Sequence, residues 1–433
     1  MQKLRIITLG CSKNTVDTEH ILAQLEGHFE IIPEGDDHTP VDYLLLNTCG
    51  FIADAKEESI QAILEAAELK KQGMAGKLVV FGCLSQRYRS EMPELIPEVD
   101  AWYGAQDLGE VPRALGVVPS KERATRRYPT APGPAYAYLK ISEGCDRRCS
   151  YCAIPLIRGA HRSVPVEALV EEAEMLAAKG VKELILIAQD TTYYGLDLYG
   201  ERRLAELIRR LSAIDGIEWI RIHYSYPASF PEDVLDELAG NPKVCKYLDI
   251  PLQHISDGVL SRMHRGINGA STRALVRRLR EKLPDVVLRT TMIVGHPGEG
   301  EAEFEELLDF LREVRFERLG AFAYSEEEDT FDARNYPDEV PAEEKRRRLD
   351  ALMSLQGEIS LAFNQSRVGT VERVLVDAYS DGVLVCRSRY ESPEVDGEVL
   401  VKADLPDPGS LVGQMIEVRI DGADEYDLIA TMI

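Results

Sequence analysis

Cys145, Cys149 and Cys152 lie in the stretch Glu143-Gly-Cys-Asp-Arg-Arg-Cys-Ser-Tyr-Cys152, separated by three and then two residues. Three thiolates on one tight loop hold three corners of a cubic [4Fe-4S] cluster and leave the fourth iron without a protein ligand. An open iron is a reactive iron. The spacing differs from the paired arms of a structural zinc site, and no His or fourth Cys adjoins the loop to close a tetrahedron. A second triad is dispersed: Cys11 in Gly10-Cys-Ser-Lys-Asn14, Cys49 in Asn47-Thr-Cys-Gly50 and Cys83 in Gly82-Cys-Leu84. Each follows an apolar run that reads as a strand. In an open parallel sheet the carboxyl ends of strands share one edge, where ligands collect at the switch in strand order. Three thiols far apart in sequence thus converge on a second cluster, again with one iron short of a ligand. The competing reading is three core cysteines. Gly10, Gly50 and Gly82 flank the triad and allow close backbone approach. Cys245 and Cys386 read as interior residues without a role.

The elements that must position these thiols alternate strand and helix. Leu4–Leu9, Tyr43–Asn47 and Lys77–Phe81 read as strands, Thr15–Leu25 and Ala53–Lys71 as helices. Repeated strand-helix-strand units imply a doubly wound parallel sheet, an α/β fold, over residues 1–116. Residues 117–134, with Lys121, Arg123, Arg126 and Arg127 among Pro119, Pro129, Pro132 and Pro134, read as a linker.

A second alternation fills residues 135–340. Strands are expected at Ala137–Ile141, Glu183–Ala188, Ile217–His223, Lys246–Ile250, Val286–Ile293 and Glu317–Tyr324, with helices between them. Six such units suggest a partial (βα)6 barrel, whose functional groups sit on the loops after the strands. The Cys145 loop is the first of these. The later ones carry Gln189 and Asp190, His223 to Ser225, Gln253 and His254, Gly295 to Glu299, and Tyr324 with Ser325. His254 and His264 have no partner at metal-ligand spacing.

Residues 341–365 read as a connecting helix. Beyond it the period shifts to two, and five short strands in 366–433 suggest a small antiparallel β-barrel, a shape often used to bind RNA. Its charge argues otherwise. Residues 366–433 hold six Arg and Lys against fourteen Asp and Glu, a balance of −8. That is a poor surface for a phosphate backbone. Asp377, Asp381, Glu391, Glu394, Asp396 and Glu398 suit a basic protein instead.

The whole chain of 433 residues carries a formal charge of −24 and a pI near 4.9, which excludes general nucleic-acid affinity. No apolar run approaches bilayer length and no signal peptide is evident, so a cytoplasmic location without a membrane partner is expected. Eight cysteines, six of them in two ordered triads, fit metal binding in a reducing compartment better than a disulfide framework.

The Cys145 triad, with Tyr151 before its last cysteine, resembles the signature of the radical S-adenosylmethionine (radical SAM) enzymes. The full layout of a Cys11, Cys49, Cys83 triad, a radical SAM core and a small terminal barrel resembles the methylthiotransferases. Gly10-Cys-Ser-Lys-Asn14, Gln189-Asp-Thr191, Leu248-Asp-Ile-Pro-Leu-Gln-His254 and Ser392-Pro-Glu-Val-Asp396 are similar to words of the RimO-type branch. That branch modifies an aspartate β-carbon in protein twelve of the small ribosomal subunit; its sister branch modifies adenosine in tRNA. The resemblance implies two [4Fe-4S] clusters and SAM as cofactors. Cys145, Cys149 and Cys152 would ligate the cluster that cleaves SAM, and Cys11, Cys49 and Cys83 an auxiliary, sulfur-carrying one. Tyr151, Gln189, Ser225, Gln253 and Gly295 would line the SAM pocket, and the terminal barrel would be TRAM-like and recognise substrate. The implied partners are the ribosomal protein, free or on the ribosome, an electron donor and a sulfur source. Two alternatives stay open at this point, a tRNA methylthiotransferase and a non-catalytic electron-transfer protein.

Overall fold

The computed structural model describes residues 1–36, 38–130, 135–403 and 405–433. Its first sheet is built from β1 (Lys3–Thr8), β2 (Glu30–Ile31), β3 (Val41–Thr48), β4 (Ala75–Gly82) and β5 (Ala101–Gly104). All pairs are parallel and the order is β2-β1-β3-β4-β5. β3 and β4 are apolar through Leu44–Leu46 and Leu78–Phe81, where both faces are covered. Leu44, Leu46, Leu78 and Val80 pack with Ile63, Ala66 and Ala67 of helix Ala53–Lys71; Leu45, Val79 and Phe81 pack with Ile21, Leu22 and Leu25 of helix Ser12–Leu25. β2 and β5 went unanticipated, being two and four residues long, too short to display a period. The strand order reverses between β1 and β3, so the switch point falls between Cys11 and Cys49.

The segment after this sheet is bolted to it. Arg127 is buried between Glu19 of helix Ser12–Leu25 and Glu172 of helix Val166–Ala178, and Arg123 donates to the carbonyls that end the first of these helices. Pro132 and Pro134, part of the expected linker, lie outside the described residues.

β6 (Tyr136–Lys140) opens the central unit. A two-residue ribbon, β7 (Ser142–Glu143) with β8 (Arg162–Ser163), pinches off the loop that carries Cys145, Cys149 and Cys152. β9 (Glu183–Ile187), β10 (Trp219–Ile222), β11 (Val244–Asp249), β12 (Val287–Val294) and β13 (Arg318–Ala323) follow, giving six parallel strands in the order β13-β12-β11-β10-β9-β6. Leu184, Leu186, Ile220, Ile222, Leu248 and Leu288 face the surrounding helices in the largest core. Alternation then turns Glu183, Arg221, Tyr247 and Arg289 to the opposite, concave face.

Helix Ala342–Ser366 leads to a closed barrel of β14 (Val371–Ser380), β15 (Val383–Arg387), β16 (Val399–Lys402), β17 (Met415–Ala423) and β18 (Leu428–Met432). Four pairings are antiparallel, and the fifth, β16 with β18, is parallel, a departure from the wholly antiparallel barrel the sequence suggests. β17 intervenes between the two strands in sequence, so they meet without a hairpin. Cys386 is buried in this barrel, and Cys245 beneath it against Trp219 and Tyr247.

Buried ion pairs fasten barrel to central unit. Glu183 of β9 accepts from Arg221 at 2.7 Å and from Arg387 of the barrel at 2.7 Å. Glu391 pairs with Arg318 of β13 at 2.9 Å and with Arg367. These contacts correct one sequence expectation. Asp377 pairs with Arg387, Glu391 is 1% exposed, and Asp396 faces Tyr247 and Arg289, so these three carboxylates are spent inside the protein. Asp381, Glu394 and Glu398 remain exposed. Among the described residues no helix is long and apolar enough to cross a membrane.

Candidate functional site

Cys11 ends the turn after β1 and precedes helix Ser12–Leu25, Cys49 follows β3, and Cys83 opens a short helix directly after β4. The three loops are packed so closely that side chains on their glycines would collide. A Cβ on Gly10, at φ +93°, would lie 2.7 Å from Cys49 Cβ, and one on Gly50 would lie 2.7 Å from the Leu84 backbone. Asn14 ties the edge together: its Nδ2 donates to the carbonyls of Leu9 at 2.7 Å and Thr48 at 3.3 Å, and Asn47 Nδ2 donates to its carbonyl at 2.9 Å.

The other triad sits where the central strands end. Ser150 N donates to Met263 O at 3.2 Å and Asp332 N to Ser150 O at 3.0 Å, which pins the cysteine loop to two later loops. Burial pushes Cys145 and Cys152 up to about 12. It does the same to Cys83, against the pull of Arg158 and with Cys11 and Cys49 adding to it, and it raises Cys49. Thiols so placed are poor free nucleophiles, whereas iron coordination would deprotonate them outright. Among the described residues no three His, Cys, Asp or Glu side chains gather tightly enough for a single metal ion. A cube offers its irons at separate corners, so thiols that ligate one stand wider apart than ligands of a lone ion. With Cys49 and Cys83 buried, Cys145, Cys149 and Cys152 half-buried and Cys11 exposed, neither triad is gathered as for zinc, and each suits the corners of a cube.

Helix Ile154–Arg158 lies between the two triads. Cys152 precedes it by two residues, and Cys83 packs on its Ala153 and Ile157 side. Arg158, 2% exposed, donates from Nε to Cys83 Sγ at 3.3 Å, from Nη2 to Asn14 Oδ1 at 2.5 Å, and from Nη1 to Asp17 at 2.7 Å and Glu143 at 3.0 Å. On the far side Arg265 Nη1 donates to Cys149 Sγ at 3.3 Å and reaches Tyr151 Oη at 3.4 Å, its guanidinium lying over the Tyr226 ring. Neither arginine is marked by a sequence signal beyond its position, Arg158 six residues past Cys152.

A cavity of about 620 Å³ opens beside the Cys145 loop. Tyr151, Gln253, Thr291, Ile293, Phe322 and Tyr324 line it, and Phe51 with Asp54, just past Cys49, form its outer wall. Gln253 adopts φ +76°, a conformation rare for a side-chain-bearing residue, fixed by hydrogen bonds with Thr291 and Ile293 of β12. Its Oε1 and Tyr324 Oη are buried without partners. Orphaned polar atoms in a cavity lined in part by Phe51, Tyr151, Phe322 and Tyr324 fit a nucleoside with hydroxyl and amino donors.

The other expected pocket residues are distributed around the mouth. Gln189 donates from Nε2 to Glu143 at 2.9 Å and leaves Oε1 unpartnered. Ser225 is buried beside Thr191 at 3.5 Å. Gly295 turns away from the cavity: at φ +74° its missing Cβ would lie 2.4 Å from Lys345 Cγ of the connecting helix. His254 pairs with Glu299 at 3.2 Å and His264 packs on Phe331, so neither is set out as a metal ligand. A larger cavity of about 900 Å³ is bordered by Tyr136, Tyr138, Arg387 and the 392–398 loop and touches no cysteine.

Three family models match the chain: the radical SAM superfamily at residues 139–311, the TRAM domain at 368–433, and the uncharacterized protein family UPF0004 at 3–104. A protein of Porphyromonas gingivalis named ribosomal protein uS12 methylthiotransferase RimO is 50% identical over 431 residues, covering 100% of this chain and 99% of its own. Proteins of the same name from Phocaeicola vulgatus (48% over 428 residues; 99% and 98%) and Flavobacterium johnsoniae (48% over 427; 98% and 97%) match equally broadly. Among solved structures, the radical S-adenosylmethionine methyltransferase TsrM of Kitasatospora setae superposes with a TM-score of 0.54 at 14% identity, over 89% of this chain and 77% of that one. At that identity the likeness concerns fold.

Proposed function

The chain belongs to the RimO family of radical SAM methylthiotransferases, and from that premise we propose that it adds a methylthio group to the β-carbon of an aspartate in ribosomal protein uS12. Residues 1–116 would hold the auxiliary cluster through Cys11, Cys49 and Cys83, residues 135–340 the SAM-cleaving cluster through Cys145, Cys149 and Cys152, and residues 366–433 would recognise the substrate. The observation that carries the reading is the placement of two three-thiol sites on either side of one five-residue helix, next to a cavity with unpaired polar atoms.

An unactivated β-carbon has a C–H bond too weakly acidic for a side-chain base, so no His or Glu in general-base geometry suffices. When bound, the clusters and SAM supply what the side chains lack, a carbon radical to take the hydrogen and a sulfur held ready for transfer. The protein's part is placement. Tyr151 and Ile293 present apolar faces to the nucleoside, and Gln253 Oε1 and Tyr324 Oη accept or donate hydrogen bonds inside the cavity. Phe51 and Asp54 close it from the first domain, so the chain segment that carries Cys49 also walls the nucleoside. Exposed Asp381, Glu394 and Glu398 on the barrel suit a basic ribosomal protein. An electron donor and a sulfur source complete the partners this reading requires.

The test is anaerobic. Reconstituted protein is offered a uS12 peptide bearing the aspartate and an anticodon stem-loop in parallel. Mass spectrometry is expected to find the methylthio group on the peptide alone, with 5'-deoxyadenosine formed alongside. Modification of the stem-loop, or 5'-deoxyadenosine with neither product, overturns the reading.

A further inference from the structure

Each triad receives one buried guanidinium, and the two differ in what else they hold. Arg265 reaches Cys149 from within the central unit, bonding Pro251 O with its other nitrogen. Arg158 reaches across domains: it is anchored on the Cys145 loop side by Glu143 and donates to Cys83, Asn14 and Asp17, which lie on helices of the first domain. The surrounding charges nearly cancel. Lys140 bonds the same two carboxylates, Asp17 and Glu143, so two cations face two anions. What is left over is directional. Arg158 Nε–H points at a sulfur packed against the apolar Ala105, Ala153 and Ile157, with Asn14 Oδ1, itself held by Arg158, 3.9 Å from the same sulfur.

We propose that Arg158 is a positioning residue that raises the reduction potential of the cluster at Cys11, Cys49 and Cys83 through its hydrogen bond to Cys83. The proposal rests on the ligand assignment above. The couple is one electron into the cube, from the 2+ to the 1+ core, with dithionite as donor in the experiment; no bond to the chain forms or breaks. Reduction adds a negative charge to a ligand set that already carries three thiolates. A charge-assisted N–H···S bond favours the more negative state, and hydrogen bonds to sulfur are among the factors that set such potentials. Because the donor is fixed by Glu143, next to the SAM-cleaving triad, the auxiliary potential depends on how the two domains are seated. Arg265 gives the internal comparison, acting on Cys149 and leaving Cys83 alone.

The experiment is an anaerobic redox titration of the reconstituted full chain followed by electron paramagnetic resonance. Arg158→Lys keeps a cation opposite Asp17 and Glu143 but loses the fork that reaches Cys83. Its auxiliary couple is expected to be about tenfold harder to reduce, about 59 mV lower for one electron, while the SAM-cleaving couple stays in place. Arg265→Gln is expected to do the reverse. An auxiliary potential unchanged in Arg158→Lys, or an equal fall in both couples, overturns the proposal. Failure of the ligand assignment looks different: iron analysis of the unaltered protein then finds one cube per chain.

Discussion

Ser392 Oγ of the terminal barrel lies 2.8 Å from Nε2 of His223, a buried side chain just past β10. The loop that carries it is braced at its other end, where Asp396 accepts from Tyr247 Oη at 2.7 Å and from Ser392 N at 2.9 Å. The barrel is thereby docked on the concave face of the six-stranded sheet, with its 392–396 loop inserted among side chains from three consecutive strands. If the barrel recognises substrate as proposed, that substrate is held in a fixed relation to the mouth where the cysteines sit.

That docking predicts uncoupling when the brace is removed. Asp396→Ala strands the Tyr247 hydroxyl and loosens the loop, while the cysteine loop and the nucleoside cavity are untouched. The ratio of methylthiolated peptide to 5'-deoxyadenosine is expected to fall about tenfold, the worth of one hydrogen bond to a charged group. Counting both products in one anaerobic reaction checks it, and an unaltered ratio would mean that barrel position does not govern capture.

Glu391 predicts a larger, purely structural effect. It is 1% exposed and faces Arg318 and Arg367, so its removal leaves two guanidiniums buried around an empty space. Glu391→Ala is expected to destabilise the fold by about 3–5 kcal/mol, the cost of breaking a buried pair from one side. Urea unfolding at neutral pH measures it; a loss below about 1 kcal/mol would place this pair with surface ion pairs.

How much of this was legible beforehand follows from what kind of signal each feature leaves. The cysteine triads were legible because strand ends are marked by the close of an apolar run, and β1, β3 and β4 each deliver their cysteine within three residues of their last one. The six central strands were legible for the same reason. Arg158 and Arg265 were not, because an arginine that bonds a sulfur 75 or 116 residues away leaves no period and no neighbouring partner in the sequence. The acidic barrel was misread in part. Composition counts Asp377, Glu391 and Asp396 as surface charge, yet each has a cation opposite it on another strand or domain. Gly295, a pocket residue only by resemblance, has its bare Cα against Lys345 of the connecting helix, a contact fifty residues away that leaves no local signal.

Acid sensitivity follows from three imidazoles, His161 and His223 buried and His20 partly exposed beside Glu172. Burial, assisted by nearby Arg and Lys, lowers His20 to about 3 and holds His223 well below its usual 6.5; burial also lowers His161. The native state keeps these rings neutral while the unfolded chain takes up protons below about 6.5, so the unfolded state gains as pH falls. Stability is expected to be level above about pH 7 and to drop below it, by up to about 1.4 kcal/mol per pH unit for each ring. Burial opposes ionisation of Glu391, but Arg367 and Arg318 outweigh it and hold the carboxyl down to about 2; its contribution is lost in a second window as pH falls from 4.5 toward that value. Urea midpoints between about pH 8 and about pH 5 test the first window. His223→Gln should reduce the slope by about one proton, and a level curve across that range would contradict the assignment.

The connecting helix gives the last prediction. Gly295 closes β12 at φ +74°, where an L side chain costs about 1–2 kcal/mol, and a Cβ there would press on Lys345 Cγ at 2.4 Å. Lys345 cannot simply swing aside, because its Nζ donates to Tyr324 O at 3.0 Å and to Asp338 at 2.5 Å. Tyr324 and Asp338 both line the cavity beside the Cys145 loop. The strain is therefore relayed to the cavity wall through one lysine. Gly295→Ala is expected to cost about 2–4 kcal/mol of stability, backbone strain plus overpacking, and to weaken SAM binding about tenfold or more. Lys345→Ala in the same background removes the clashing carbon and should recover part of the stability without restoring affinity, since the Tyr324 carbonyl then lacks its donor. Equilibrium dialysis with SAM and urea unfolding of the single and double variants separate the two effects. Full recovery of binding in the double variant would show that Lys345 shapes nothing in the cavity.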